Sequence, residues 1–133
     1  MNTWGTAAFD NDAAKMFIGE VLEDGAFALQ EAFEVVLDPD TDFVAEEEGA
    51  RAVAAAETLA AHLSGDTATI FDAALRDWLS GLQTGELEPM RELANEALGR
   101  VAGPDSDLPE FWTNTEGGEV WFGNVARLRE VLG

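Results

Sequence analysis

The chain contains no cysteine. That excludes disulfides, thiolate catalysis, zinc–thiolate sites and iron–sulfur ligation together, and it fits a cytosolic setting. Histidine occurs once, at His62, so an imidazole relay has a single place to be built. Lysine also occurs once, at Lys15, and the other six cations are arginines. Proline is confined to Pro39, Pro89, Pro104 and Pro109, and strand-type alternation is as scarce. No stretch approaches the roughly 18 apolar residues of a bilayer-spanning helix. The longest apolar-looking run, Ala52 to Leu63, is mostly alanine and is interrupted by Glu57 and His62. Met1-Asn2-Thr3-Trp4-Gly5 has no basic stretch ahead of an apolar one. No secretory leader is therefore expected, and the expected location is the cytoplasm.

What is present is acid. The 133 residues, 14.3 kDa, carry 27 Asp plus Glu against 7 Lys plus Arg, a formal net charge of -20. This length is one ordinary domain, expected over residues 1–133. A hydrophobic share of 47% is enough to bury a core, which argues against wholesale disorder despite the charge. The sign of the charge argues against direct binding to nucleic-acid phosphates or to an anionic membrane surface. A GC-rich genome or a salt-adapted proteome would produce the same bias with no partner at all.

Helical spacing recurs along the whole chain, broken by Gly, Pro, Asp and Thr. The spacing predicts a helix that is capped by Asp10, Asn11 or Asp12 and runs to about Leu22, stapled by Phe9 and apolar at Ala14, Phe17, Ile18, Val21 and Leu22. A second covers Ala26 to Leu37. A third runs from Phe43 to Leu63, capped by Thr41 or Asp42, with Val53, Ala56, Ala60 and Leu63 as a narrow stripe of small residues. A fourth spans Ala68 to Leu82, a fifth Glu86 to Val101 with Pro89 in its first turn, and the last Glu119 to Leu132. Asp107 with Glu110 resembles a capping box for a short helix through Trp112. The expected fold is all-α: a single bundle of six helices plus one short one, joined by brief loops.

Asp38-Pro39-Asp40-Thr41-Asp42 is the most metal-like string, since a calcium loop opens with the same Asp-x-Asp-x-Asp spacing. The remainder departs from that pattern: Phe43 stands where the turn needs glycine, and Gly49 where the loop needs a bidentate glutamate. A proline turn with helix caps is the plainer reading, and no metal or cofactor is expected. Glu46-Glu47-Glu48 lacks the Glu-x-x-His pairs of a helical di-metal site. His62 follows Glu57 by five residues, which places the two on different parts of the helix surface. There is no Gly-x-Ser-x-Gly elbow, and Gly117-Gly118 is not a phosphate loop. No catalytic residue is expected. Trp78 and Trp121 read as core; Trp4 and Phe111-Trp112 read as packing across helix ends, with an exposed anchor as the alternative.

The string Trp4-Gly5-Thr6-Ala7-Ala8-Phe9-Asp10-Asn11-Asp12-Ala13-Ala14 resembles the opening of the bacterial family called domain of unknown function 4259. The Asp-rich turn, the Ala-rich helix holding Arg51 to Glu57, Trp78-Leu79 and Leu128-Arg129 agree with it. The resemblance implies a small, soluble, helical bacterial protein and brings no catalytic residues with it.

Function is therefore read from charge. Asp10 to Glu48 holds 13 acids and one cation, Lys15. The expected partner surface is Trp4, Asp10, Asp12, Glu20, Glu23 and Asp24 on the first arm and helix, Glu31, Glu34, Asp38 and Asp40 on the second helix and its turn, and Glu46, Glu47 and Glu48 beyond. Its expected partner is a basic protein, met in an immunity-like or regulatory way or at the basic site of a nucleic-acid-binding protein. Two alternatives stand beside it. One is a metal-dependent hydrolase using Asp38, Asp40 and Asp42. The other is a structural or stress-associated protein whose acidity only confers solubility.

Overall fold

A computed structural model describes residues 7–133 as α1 (Asp12–Asp24), α2 (Ala26–Leu37), α3 (Glu46–Ser64), α4 (Ala73–Ser80), a 3-10 turn (Glu88–Met90), α5 (Arg91–Val101), α6 (Asp107–Thr113) and α7 (Gly118–Leu132). The fold is all-α, with seven helices among the described residues, the expected six and a short one. No strand occurs there, only an isolated parallel bridge between Val44 and Ser106.

α3 lies at the centre. α1, α2, α5, α6 and α7 all pack on it, and α4 packs on α1. Every residue from Ala52 to Ala61 is buried. The expected narrow stripe on this helix is thus corrected: it is apolar nearly all round, as a helix at the centre of a domain must be. Its alanines let neighbours approach closely, and larger side chains from the surrounding helices fill the space between. Phe17, Leu29, Phe33, Leu98 and Leu128 are fully buried. Each stabilises the fold by about 1.5–3 kcal/mol through its transfer from water.

The helix limits follow from local chemistry. Asn11 caps α1: its Oδ1 accepts from the Ala14 N–H at 2.8 Å. Phe9 beside it is buried. Leu22, expected inward, is 45% exposed; it stands about 100° round the helix from buried Val21. Gly25 alone joins α1 to α2. Its φ of +66° reverses the chain, a conformation that costs glycine little. α2 has the limits its sequence predicts, because Gly25 precedes it and Asp38-Pro39 follows.

Three starts differ from expectation. α3 begins at Glu46, not Phe43, because Val44 is extended: its N–H donates to the Asp105 carbonyl at 2.9 Å, and its carbonyl accepts from the Asp107 N–H at 3.0 Å. The helix is capped by neither Thr41 nor Asp42; Glu48 Oε1 accepts from the Ala45 N–H at 3.3 Å instead. α4 begins at Ala73, not Ala68. Asp72 Oδ1 accepts from the Leu75 N–H at 2.9 Å and sets the start, while Asp66 caps only a turn at Ala68. Ile70 is buried from the loop, but Phe71 is 73% exposed. The fifth helix is divided: Pro89 lies in the 3-10 turn, and the α-helix proper starts at Arg91. Ser106, not Asp107, occupies the N-cap position of α6. Gly118 opens α7 against the Trp112 carbonyl, where any Cβ would collide. That close approach lets Trp112 and Trp121 stack at 6.3 Å between ring centres.

Candidate functional site

The acidic residues come first, since they carry the charge anomaly. None of the thirteen between Asp10 and Glu48 is buried. On α1, Asp12, Met16, Glu20 and Glu23 follow one another at spacings of four, four and three, along one side of the helix. Met16 is 76% exposed there. On α2, Phe27, Glu31, Glu34 and Asp38 run in the same way and are all exposed. α1 and α2 pack together, and each carries its row on its exposed surface. Glu20 is paired with Arg51 at 2.6 Å, and the same guanidinium lies 5.8 Å from the Phe17 ring centre. Asp12, Glu20, Glu47 and Met16 border a groove of about 420 Å³ around Arg51. Glu46 lines a separate shallow groove with Asp107 and Glu110. Trp4, expected on this surface, lies outside the described residues.

The Asp38–Asp42 turn serves its own backbone. Asp38 Oδ1 accepts from the Asp40 N–H at 2.8 Å, and the Asp38 carbonyl accepts from the Thr41 N–H at 2.9 Å. The Thr41 hydroxyl donates to the Val35 carbonyl at 3.2 Å, and Arg100 donates to the Thr41 carbonyl at 2.6 Å. The chain then runs out through extended Val44 instead of curling round an ion. Among the described residues, no group of three or more His, Asp or Glu is placed to hold a metal.

His62 is half-buried, and its Nε2 accepts from the Leu87 N–H at 3.4 Å. Glu57 does not face it. The Glu57 carboxylate is buried within α3 and receives a hydrogen bond from Arg127 of α7 at 2.7 Å. Sequence reasoning passed over this pair. The available signal was one acid inside ten residues of otherwise apolar or small character. Trp112 and Trp121 are buried as packing residues, whereas Trp78 is only half-buried. On the surface, Arg91 grips Glu88 through two nitrogens at 2.7 and 3.0 Å. That hydrogen bond lowers the Glu88 carboxyl from its ordinary pKa and raises the Arg91 guanidinium.

One further concavity was not foreseen. Phe9, Ile70 and Leu75 form a buried floor between the start of α1 and the 66–72 loop, with Ile18 and exposed Phe71 as walls. Asp10, Asp72 and Lys15 stand at its rim, and its volume is about 360 Å³. Asp10 Oδ2 accepts from the Ala7 N–H, and Lys15 makes no ion pair among the described residues.

No helix among the described residues is long and apolar enough to cross a membrane. Comparison with known proteins bears out the family named at the outset. No curated protein and no solved structure matches the chain. The model of one family, described as a domain of unknown function (DUF4259), matches residues 2–124, and the chain belongs to that family.

Proposed function

We propose that this protein works by protein–protein contact, receiving a basic partner on the acidic side formed by α1, α2 and the turn after them. The concrete forms are immunity-like or regulatory binding, or occupancy of the basic site of a nucleic-acid-binding protein. One observation carries the reading: thirteen acids between Asp10 and Glu48 all reach solvent, with Lys15 the one cation among them. Excess charge of one sign on a compact chain costs stability through self-repulsion. On a partner-binding face the same field steers a basic protein into contact and raises its association rate.

The test is retention of proteins from the cells of origin on the immobilised chain at 50 and 500 mM NaCl. A triple variant, Glu31→Gln with Glu34→Gln and Asp38→Asn, is run in parallel. The expected result is a defined basic protein held at low salt, released at high salt and lost by the variant. Equal retention by the variant, or no basic protein at either salt, sinks the reading.

A further inference from the structure

We propose that the cleft between the start of α1 and the 66–72 loop seats an apolar side chain of a basic partner segment, one flanked by Lys or Arg; this rests on the acidic-face reading and names its anchor point. Binding energy concentrates where a large apolar side chain enters a desolvated pocket, and charge around the rim mainly guides and orients. The cleft has both parts. Its floor of Phe9, Ile70 and Leu75 is packed and fixes the shape of the cleft, and the apolar surface left for an occupant is that of half-buried Ile18 and exposed Phe71. Phe71 projects beside it with 73% of its surface exposed, although the 3.6-residue period of its neighbours gives it an inward position. At the lip of the cleft its ring offers a docked apolar side chain a face to pack against.

The charge selects the occupant. Asp10 and Asp72 stand at the rim, and both are exposed. Lys15 is the single opposing charge and forms no ion pair among the described residues. The two acids outnumber the one cation at this rim, so a basic segment gains more here than an acidic or neutral one. A second copy of this chain, at -20, is repelled.

The full chain, isotope-labelled, is titrated at 50 mM NaCl with a synthetic Lys/Leu peptide, with oligolysine of equal charge and with a neutral Leu/Ser peptide. The Lys/Leu peptide is expected to move the methyl signals of Ile18, Ile70 and Leu75, and oligolysine to leave them in place. Phe71→Ala is expected to weaken the Lys/Leu peptide about tenfold and to leave oligolysine unchanged. Lys15→Gln is expected to tighten the Lys/Leu peptide about two- to threefold, an effect that fades at 500 mM NaCl. If the Lys/Leu peptide binds but moves only α2 signals and ignores Phe71→Ala, the cleft proposal falls and the acidic-face reading stands. If the neutral peptide binds as tightly, the basic occupant is wrong. If Trp4→Ala alone moves the same methyl signals in the free protein, the cleft belongs to the chain's own first residues and the proposal is overturned. Failure of both basic peptides to bind sinks the face and the anchor together.

Discussion

The Glu57–Arg127 pair is the sharpest place to test how this fold is held. A carboxylate inside the central helix has only 5% of its side-chain surface exposed, while its guanidinium partner is 43% exposed. The two ends of the bond therefore differ in what happens when one is removed. In Arg127→Ala, the Glu57 carboxyl keeps its buried position and loses its donor. Breaking a fully buried pair in this way costs about 3–5 kcal/mol, and losing one hydrogen bond to a charged group costs about 1.5–3 kcal/mol. The lower range applies, because a cleft of about 220 Å³ lined by Glu57, Ser64 and Asp66 lets water reach the site once the arginine is gone. In Glu57→Gln, the amide oxygen still accepts from Arg127, and the guanidinium is solvated where it stands. That variant costs under about 1 kcal/mol.

The prediction is an order as well as a size: Arg127→Ala is worse than Glu57→Gln, and Arg127→Ala in the Glu57→Gln background costs less than in the parent. Urea unfolding followed by circular dichroism at 0.15 M salt, with all four proteins in one double-mutant cycle, measures it. If Arg127→Ala lies within about 0.5 kcal/mol of the parent, the pair is only a surface contact. If Glu57→Gln is the more damaging change, the carboxylate has a partner other than Arg127. Either result refutes the account of α3 as a buried helix tied to α7 by this bond.

Gly118→Ala is expected to cost about 1–3 kcal/mol in the same unfolding assay, since its Cβ meets the Trp112 backbone and not a side chain that could turn away. Leu22→Ser is expected to lie within about 0.5 kcal/mol of the parent, whereas Leu29→Ala, at a fully buried position, costs about 2–5 kcal/mol. The Glu88 carboxyl titrates below its ordinary value because Arg91 binds its charged form. Its stabilising part is therefore present above the unfolded value and is lost as pH falls through the folded one. Carbon NMR titration of the side-chain carboxyls checks this, and Arg91→Ala is expected to bring Glu88 back up.

Helix edges were legible where the sequence punctuates them by stereochemistry. Gly25 and Asp38-Pro39 bracket α2, and its limits came out as printed in the chain. Edges failed where a continuing apolar period competed with a local cap. Ile70 and Phe71 keep the spacing of α4, yet Asp72 captures the Leu75 N–H and starts the helix after them. Val44 is another such case, because the groups that hold it extended, on Asp105 and Asp107, lie some sixty residues away. The all-round burial of α3 was hidden for a different reason: a run of alanines carries no period from which to read an inner face. As for the site, the density of acids before Glu48 is visible in the sequence alone. The cleft is not, since Phe9 and Leu75, 66 positions apart in the chain, reach its floor only through the packing of α1 on α4.

The distribution of cations explains how a net charge of -20 arises on a folded surface. Arg51 joins α3 to Glu20 of α1, and Arg127 joins α7 to Glu57 of α3. Arg100 holds the Thr41 carbonyl from α5, and Arg91 reaches the Val131 carbonyl on α7. Arg129 donates to Asn95 across the same pair of helices. Five of the six arginines thus act as clamps between elements, a task for which the planar guanidinium with its five donors is suited and the compact ammonium of lysine is not. Cations placed for clamping sit where helices meet and are set by packing, so they are not distributed to neutralise the outer acids. α1 and α2 themselves carry no arginine, and Lys15 is their one cation. A chain that needed acidity only for solubility would gain from Lys residues mixed among the acids, which lower self-repulsion without harming solvation. Lys15 stands alone in that role, at the rim of the one apolar cleft that α1 borders with the 66–72 loop.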